Sequence, residues 1–395
     1  MTEPMLSPTE PVRLVQVGAG VMGRAWLSVI GRLTDVRLVG LADLNLDTAR
    51  RSAADADFTD IAVATTLEEL LDRVEADAVV NVTIPEAHAE VSTLALLRGL
   101  AVLCEKPLAD TLPAALSMIA AAEVGGRLLM VSQSRRYWRN AEALRGLIAR
   151  LGELGLVACS VFRSPHFGGF REQMAYPLLK DMAIHQFDLA RDLIGSEPVS
   201  ISCESFNPGW SWYAGDAAAE MNAEFADGTR FLFTGSWCSP GLETSWNGSW
   251  RISGAYGTAI WDGDHAPIAE TADGTPIAAV VGSGPEGIAG SLAEFVAALR
   301  DGSVPYGEVH RNLMSLAMVE GAIRSAQTRQ RVALSDLLEE AYRQAMAAEQ
   351  RPELAAGLGS WPSVHEVIGN ASRAVTAGEL GRRAQMSDVL RERRD

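Results

Sequence analysis

The segment Asp181-Met-Ala-Ile-His185-Gln-Phe-Asp188 places three ionisable side chains at helical spacing. At about 100° per residue, offsets of four and seven residues return to within roughly 60° of the start, so a helix would carry all three on one stripe. A carboxylate fixes the tautomer of a neighbouring histidine and stabilises the imidazolium, which makes His185 a candidate general base. A buried histidine held in a helix interface by capping or pairing acids fits the triplet equally well, so other parts of the chain must decide.

A glycine-rich turn predicts a dinucleotide site. The sequence Gly18-Ala-Gly20-Val21-Met22-Gly23 directly follows an apolar, strand-like run and opens an amphipathic stretch. The first glycine permits a tight turn, the second lets the backbone approach a pyrophosphate, and the third allows close helix packing, while the helix N-terminus attracts phosphate. We therefore expect this turn, including the backbone at Val21 and Met22, to bind the cofactor.

The acidic residue Asp43 favours NAD over NADP. It ends the second predicted strand, twenty residues after Gly23. A carboxylate there accepts hydrogen bonds from both adenosine ribose hydroxyls and repels a 2′-phosphate. Leu44 and Asn45 offer no cation to such a phosphate, and the basic pair 50–51 is expected on the solvent face of a helix.

The elements that must position these residues alternate along the first third of the chain. Short apolar runs separated by amphipathic stretches predict an α/β fold with a doubly wound parallel sheet. The six predicted strands are Val12–Val17, Val36–Ala42, Ile61–Ala64, Ala78–Val82, Ala101–Cys104 and Leu128–Val131. The predicted helices lie near Met22–Gly31, Asp47–Ala54, Leu67–Arg73, Ala87–Arg98 and Pro113–Ala122, with Thr66 and Thr111 as N-caps.

The pattern changes after about Arg135 and predicts a second, mixed α/β domain. Strand-like runs at Ala219–Phe225, Arg230–Trp237 and Ser249–Ala255 are separated by Asp-Gly, Ser-Pro-Gly and Asn-Gly turns, as in an antiparallel sheet. Helical periodicity marks Ala141–Leu151, Ile288–Arg300 and the stretch from His310 to about Gln350. We predict a nucleotide-binding domain at 1–132, a substrate-binding and oligomerisation domain at 133–350, and a C-terminal extension at 351–395.

Composition excludes several classes of function. The 395 residues include 34 Lys and Arg against 50 Asp and Glu, a net charge of −16 that argues against nucleic-acid and anionic-membrane partners. The four cysteines are far apart, without a Cys-x-x-Cys pair, so neither a metal site nor a disulfide framework is expected. Without a signal peptide or an apolar run of about 18 residues, the chain is expected to be cytoplasmic.

Two further motifs stand at the ends of later predicted strands: Thr83-Ile-Pro85-Glu-Ala-His88 and Cys104-Glu105-Lys106-Pro107-Leu108. With the glycine-rich turn and the Asp181–Asp188 segment, they make the chain, from Val12 to about Leu334, resemble the Gfo/Idh/MocA family of glucose–fructose oxidoreductases and inositol dehydrogenases. The resemblance is specific because four motifs occur in the family's order and spacing. It implies a nicotinamide-binding Rossmann domain, then an α/β domain on an open, mostly antiparallel sheet that commonly joins subunits into homodimers or homotetramers.

The resemblance also implies roles for individual residues. Lys106, Asp181 and His185 would surround the reacting carbon. Oxidation of a secondary alcohol needs a base, here His185, and a cationic donor for the developing alkoxide, here Lys106, with Asp181 as orienter and substrate partner. Residues beside the cofactor would be Thr83, Pro85, Glu105, Lys106 and His88, although His88 could equally cap or pack at the start of its helix.

The segment Gln133-Ser-Arg135-Arg136-Tyr137 resembles the inositol dehydrogenase pattern where the second domain begins. Of its two arginines, both candidates for substrate binding, one would reach substrate hydroxyls and the other would be structural. Ala175-Tyr176-Pro177 replaces a glycine triplet that many relatives carry, so substrate identity cannot be transferred. The aromatic residues Trp210, Trp212 and Trp246 could stack on a sugar or simply pack within the sheet.

The resemblance therefore favours an NAD-dependent oxidoreductase acting on a ring hydroxyl of a sugar, sugar derivative or inositol, with a small-molecule sugar or polyol as its partner. An NAD-dependent glycoside hydrolase or lyase that works by transient oxidation and elimination would need the same residues. A non-catalytic nucleotide sensor is a third interpretation, which the retention of Lys106, Asp181 and His185 makes weaker.

Overall fold

Two β-sheets of different construction organise the structure, a computed structural model that describes residue 6 and residues 10–369. Most of the predicted C-terminal extension, residues 370–395, lies outside the described residues. The first sheet has six strands in the order β3-β2-β1-β4-β5-β6 and is parallel throughout. Its strands are β1 Val12–Val17, β2 Val36–Ala42, β3 Ala62–Ala64, β4 Ala78–Asn81, β5 Ala101–Glu105 and β6 Leu129–Ser132, each within one residue of its predicted bounds.

Helices cover both faces of this sheet, which is why its central strands are almost continuously apolar. They are α1 Val21–Ile30, α2 Leu46–Asp55, α3 Leu67–Leu71, α4 Pro85–Leu97 and α5 Leu112–Gly125. The hydroxyl of Thr66 accepts a hydrogen bond from the Glu69 amide (3.2 Å), and that of Thr111 from the Ala114 amide (3.4 Å), so both predicted N-caps are confirmed.

The chain order of the strands reverses at β1, because β2 and β3 lie on one side of it and β4, β5 and β6 lie on the other. At such a switch point the loops that follow the carboxyl ends diverge and leave a crevice where ligands bind in open α/β sheets. The glycine-rich turn follows β1, Thr83 follows β4, and Lys106 follows β5. The topology thus brings three of the predicted site segments to one edge of the sheet.

The second sheet has nine strands in the order β14-β13-β12-β11-β7-β10-β9-β8-β15. Every pair of adjacent strands in this sheet is antiparallel except β7 and β10, which run parallel. The expected, mostly antiparallel sheet is therefore present. The strands are β7 Leu154–Phe162, β8 Pro198–Phe206, β9 Ala218–Phe225, β10 Arg230–Ser236, β11 Ser249–Gly254, β12 Gly257–Trp261, β13 Ile268–Thr271, β14 Pro276–Ile277 and β15 Val332–Ala333.

The remaining helices pack around this second sheet and against the first. They are α6 Arg139–Ile148, α7 Phe170–Gln173, α8 Ile184–Ile194, α9 Gly287–Asp301, α10 Val309–Thr328, α11 Leu334–Ala348 and α12 Pro352–Gly359, with a 3₁₀ turn at Ser134–Tyr137 and a π-helical turn at Leu178–Ala183. Phe187 of α8 packs edge-on against Phe231 and Phe233 of β10, which fixes the helix that carries His185 on the sheet.

Two helices from the second half of the chain pack on the first domain. Leu292 and Phe295 of α9 are buried in the same apolar cluster as Trp26 of α1. Leu354 and Leu358 of α12 are buried, and α12 packs against α5. The predicted extension therefore begins with a packed helix, and the boundaries after 132 and 350 remain our proposal for the domain division.

Among residues 10–369, no helix is both long enough and apolar enough to cross a bilayer.

Candidate active site

The glycine-rich turn has the close contacts that its three glycines predict. Gly18 has φ of +102°, and a Cβ added to it would lie 2.3 Å from the carbonyl oxygen of Val82. A Cβ on Gly23 would lie 2.3 Å from the carbonyl oxygen of Gly18, so only glycine lets α1 begin this close to β1. A Cβ on Gly20 would meet no atom within 4 Å, which marks open space in front of the helix. Gln16 donates to the carbonyls of Gly18 (2.8 Å) and Gly23 (3.0 Å) and holds the turn from inside.

The start of α1 fits a pyrophosphate. Its N-cap, Gly20, provides no capping side chain, and the first turn contains no acidic residue. The free amides and the positive end of the helix dipole therefore face the open space beside Gly20. Val21 and Met22, at 77% and 42% exposure, border the same space.

Asp43 is tied to this turn. One carboxylate oxygen accepts from the amide of Ala19 (2.8 Å) and the other from the amide of Asn45 (2.9 Å). Each oxygen keeps a lone pair, so the carboxylate can still accept from ribose hydroxyls. Arg50 and Arg51 are both exposed on α2, as their pattern predicts.

His88 packs between two loops, as one of its two expected roles predicts, and its place beside the cofactor remains a prediction. It is fully buried, with Nδ1 2.7 Å from the carbonyl oxygen of Pro107 and Nε2 3.2 Å from that of Thr83. Burial lowers its pKa, so the ring is neutral and its single N–H donates to one of these two carbonyl oxygens. His88 therefore links the loop after β4 to the loop that carries Lys106.

Three other predicted cofactor residues, Thr83, Pro85 and Glu105, lie in or beside the two loops that His88 joins. The hydroxyl of Thr83 donates to the side-chain oxygen of Asn81 (2.7 Å), and Pro85 begins α4. Glu105 is buried, and its carboxylate accepts from the indole of Trp26 (2.8 Å) and from the Lys106 amide (3.1 Å). Glu105 therefore anchors the loop, and contacts of these residues with a cofactor remain a prediction.

Lys106 and Asp181 form the centre of the site. The ammonium of Lys106 donates to the carbonyl oxygen of Asp181 (2.8 Å) and to its carboxylate (2.9 Å). The second carboxylate oxygen accepts from Nε of Arg171 (2.7 Å). Burial opposes ionisation of Asp181, but the charges of Lys106 and Arg171 outweigh it and lower the pKa. Two of the three Lys106 donors are thus engaged, and one remains for a ligand.

His185 lies beside this pair but is not held by the two aspartates, which corrects the expected tautomer-fixing role. Asp181 is taken by Lys106 and Arg171, and Asp188 accepts from Arg136 (2.6 and 2.8 Å). Nδ1 of His185 is buried and has no hydrogen-bond partner in the part of the chain that the structure describes. Burial first, then the charges of Lys106 and Arg135, lower its pKa well below 6.5, so the ring is neutral. The cations that pair with the two aspartates are Lys106, Arg171 and Arg136, and all three come from other elements of the fold. The spacing within the Asp181–Asp188 segment does not reveal them.

The two neighbouring arginines differ in environment. Arg136 is buried, and its guanidinium is paired with Asp188, so the structure gives it a structural role instead of the substrate contact considered for it. Arg135 donates from Nη1 to the side-chain oxygen of Asn247 (2.6 Å), and its Nε is buried without an acceptor. Burial lowers the pKa of Arg135 to about 10.

Two of the three aromatic residues considered for sugar stacking have a protein side chain on the ring, and the third is exposed. The guanidinium of Arg163 lies 4.3 Å from the centre of the Trp246 ring, and His166 stacks on Trp212 at 3.8 Å. Trp210 is 68% exposed. Trp212 and Trp246 each have one ring face covered by a protein side chain, so a sugar could stack on that face only by displacing it.

Sequence reasoning missed Arg171 and Asn247. Arg171 lies in the short helix α7 and reaches Asp181 across a loop. Asn247 is 112 residues from the arginine it contacts. Neither stands in a motif, so local sequence carries no signal for them.

The chain is similar to one known family of proteins along most of its length. A family described as an oxidoreductase family with an NAD-binding Rossmann fold matches residues 12–133, and the GFO/IDH/MocA C-terminal domain matches residues 141–260. The uncharacterized protein y4oX of Sinorhizobium fredii is 28% identical over 355 residues, covering 83% of this chain and 97% of that protein. Inositol 2-dehydrogenase 4 of Saccharopolyspora erythraea is 33% identical over 195 residues, 48% of this chain and 56% of its own length.

A solved structure shares the fold. The oxidoreductase from Agrobacterium radiobacter, in complex with NAD+, L-tartaric acid and magnesium, superposes with a TM-score of 0.76 at 18% identity. The match covers 82% of this chain and 99% of that one, so the whole two-domain architecture is common to both.

Proposed function

Because this chain belongs to the GFO/IDH/MocA oxidoreductase family, we propose that it transfers a hydride between a ring hydroxyl carbon of a sugar, sugar derivative or inositol and nicotinamide. The chain is an NAD-dependent oxidoreductase that acts on CH–OH groups, and its first domain binds NAD. The observation that carries the finer proposal is the pairing of the Lys106 ammonium with Asp181 beside a neutral, unpaired histidine.

In the proposed reaction His185 accepts the hydroxyl proton. A base must be unprotonated before it acts, and the lowered pKa of His185 keeps the imidazole neutral. Because Nδ1 is buried, Nε2 is the nitrogen left to meet the hydroxyl group. When bound, NAD supplies the hydride acceptor.

Lys106 stabilises the negative charge that develops on the substrate oxygen. Its free N–H provides a charge-assisted hydrogen bond to that oxygen, in a site where burial strengthens electrostatic interactions. Asp181 positions Lys106 through two hydrogen bonds, and Arg171 holds Asp181. The geometry of the donor is thus set before the substrate arrives, and little reorganisation is needed.

Three features support NAD as the cofactor. Gly20 and the uncapped start of α1 provide amides and open space for the pyrophosphate. Asp43 would accept hydrogen bonds from the adenosine ribose and repel a 2′-phosphate.

The open sheet of the second domain is our proposed subunit contact in a homodimer or homotetramer. Leu232 of β10 and Ile260 of β12 are 37% and 41% exposed on this sheet, as an apolar contact surface requires. Light scattering on the purified chain tests this, and a monomer would contradict it. A cytoplasmic location remains a prediction that the four buried free thiols support.

The test of the proposed activity is an assay of the purified protein with NAD and a panel of sugars, sugar acids and inositols, followed by NADH absorbance. We expect NADH to form in proportion to oxidised product. If product forms by bond cleavage while NADH does not accumulate, the elimination mechanism replaces the dehydrogenase proposal.

A further inference from the structure

We propose that the substrate carries a carboxylate and that the guanidinium of Arg135 binds it. This inference rests on the proposed dehydrogenase function and names its substrate class, a hydroxy acid of the aldonic or uronic type. It follows from the contacts of Arg135, the construction of its neighbour Asn247, and the charge balance of the site.

Arg135 differs from the arginines around it because no carboxylate within residues 10–369 forms an ion pair with it. Among these described residues, its one hydrogen bond goes from Nη1 to the neutral side-chain amide of Asn247, and Nε has no acceptor. An unpaired buried charge is costly, and a charged ligand is a common reason to retain one. The neighbouring arginines all have carboxylate partners: Arg136 with Asp188, Arg145 with Asp192, Arg163 with Glu243 and Arg171 with Asp181.

Asn247 is built to hold Arg135 in one orientation. Its side-chain nitrogen donates to the carbonyl oxygen of Gly263 (2.7 Å), which directs the amide oxygen to Nη1 of Arg135. The backbone amide of Asn247 donates to the hydroxyl of Ser245 (3.0 Å), and that hydroxyl donates to the carboxylate of Asp264 (2.7 Å). With Nη1 fixed on Asn247, the buried Nε has no acceptor among the described residues, and a carboxylate that binds the guanidinium would supply one.

The charge balance of the site points to an anion. Lys106 and Arg171 share the single carboxylate of Asp181, and Arg135 adds a third cation. Glu105 is buried, and burial raises its pKa. The excess is one positive charge when Glu105 is ionised and two when it is neutral. In either state the site favours an anionic substrate over a neutral sugar.

A bound carboxylate would also affect the base. The groups that act on His185 are the cations Lys106 and Arg135, while Asp181 is already paired with Lys106. Neutralising Arg135 removes one of the charges that oppose protonation of the ring. His185 would therefore be a stronger base when an acidic substrate is bound than when a neutral sugar is bound.

The experiment compares matched acids and neutral sugars as probes. The probes are D-glucuronate, D-galacturonate and D-gluconate against D-glucose, D-galactose and myo-inositol, with D-glucose 6-phosphate as a phosphate probe. We expect kcat/KM for at least one acid to exceed that for every neutral probe by roughly tenfold or more. Arg135→Gln should lower the ratio of acid to neutral kcat/KM roughly 10²-fold, Arg135→Lys should restore part of it, and the exposed control Arg150→Gln should leave rates and ratio unchanged.

Binding of the same probes to the protein saturated with NADH, measured by calorimetry, separates this inference from the proposed function. If no probe is oxidised but an acid binds the wild type and not Arg135→Gln, the dehydrogenase proposal fails and the carboxylate site stands. If turnover occurs and neutral sugars or the phosphate probe are preferred, or if Arg135→Gln lowers acid and neutral turnover equally, the carboxylate proposal is overturned. The same conclusion follows if no acid binds more tightly than its neutral partner.

Discussion

Lys106 and Asp181 are 75 residues apart in sequence and share two hydrogen bonds, of 2.8 Å to the aspartate carbonyl oxygen and 2.9 Å to its carboxylate. The contact joins the end of β5 in the first domain to the π-helical turn in the second. The site is therefore assembled from both domains.

Replacement of Lys106 by Met should abolish the charge that stabilises the developing alkoxide. We expect kcat/KM to fall by at least roughly 10²-fold, the usual effect of removing one preorganised donor. The measurement is steady-state NADH formation with the best substrate. The exposed lysine next to Asp181 serves as control, and Lys180→Met should stay within about twofold of the wild type.

Replacement of His185 by Ala should remove the base. The expected loss in kcat is roughly 10²-fold or more, with a smaller change in KM. His265 is the matched control because its side chain is 86% exposed in a hairpin of the second sheet, and His265→Ala should leave kcat unchanged. Unaltered kcat in His185→Ala would remove the residue from the mechanism and favour a non-catalytic role for the chain.

Asp43 should control the choice of cofactor. In Asp43→Ala the ribose hydroxyls lose their acceptor and the repulsion of a 2′-phosphate disappears, so we expect NADH to bind at least roughly tenfold more weakly while NADPH changes little. Fluorescence titration with both nucleotides provides the readout. Asp43 also holds the Ala19 amide, so a general disturbance of the turn is the rival explanation. Equal weakening of both nucleotides would indicate that disturbance and contradict the ribose assignment.

Arg135 and Arg136 should differ in their effect on stability. Arg136 is paired with Asp188 in the interior, and Arg136→Gln removes both of its hydrogen bonds to that carboxylate and leaves only Arg191, at 3.7 Å, as a nearby cation in the described part of the chain. We expect a cost of up to about 3–5 kcal/mol in unfolding free energy. Arg135 has no carboxylate partner among the described residues, so Arg135→Gln should leave the free energy of unfolding unchanged or raise it. Urea unfolding of both variants makes the comparison. A large loss in Arg135→Gln would mean that the residue stabilises the fold.

His310 should make stability depend on pH in the alkaline range. Burial disfavours its charge, but Glu123 of α5 (3.0 Å) and Glu308 (2.5 Å) outweigh burial and raise the pKa to about 9. Because the folded pKa exceeds the unfolded value of about 6.5, the contribution is complete below about pH 6.5 and is lost as the pH rises through 9. Trp361 also donates to Glu123 (2.6 Å), so the segment after α12 shares this network.

The measurement for this prediction is the Tm of the wild type and of His310→Gln across pH 6 to 10, a range chosen to span roughly both pKa values. We expect the unfolding free energy of the wild type to exceed that of His310→Gln by about 1–3 kcal/mol at the acid end, which appears as a higher Tm. The plots of Tm against pH for the two proteins should converge at the alkaline end. A difference that stays constant with pH would show that the histidine contributes only through packing.

Much of the first domain could be predicted because its signals are local. Buried parallel strands require apolar runs, helices require amphipathic ones, and a turn such as Gly18 to Gly23 requires glycine where a Cβ would strike the backbone. These constraints act within a few residues. The six strands, the α1 turn and the caps at Thr66 and Thr111 follow from them.

The sequence by itself therefore determined the elements of the first domain and the nucleotide turn, and its resemblance to a family singled out Lys106, Asp181 and His185 as a group. Only the tertiary structure decided the partners: Asp181 with Lys106 and Arg171, Asp188 with Arg136, and no carboxylate for His185. It also buried His88 and left Arg135 facing a neutral amide. Hydrogen bonds and ion pairs depend on distances of about 3 Å between side chains, and here those distances join residues that are far apart in sequence.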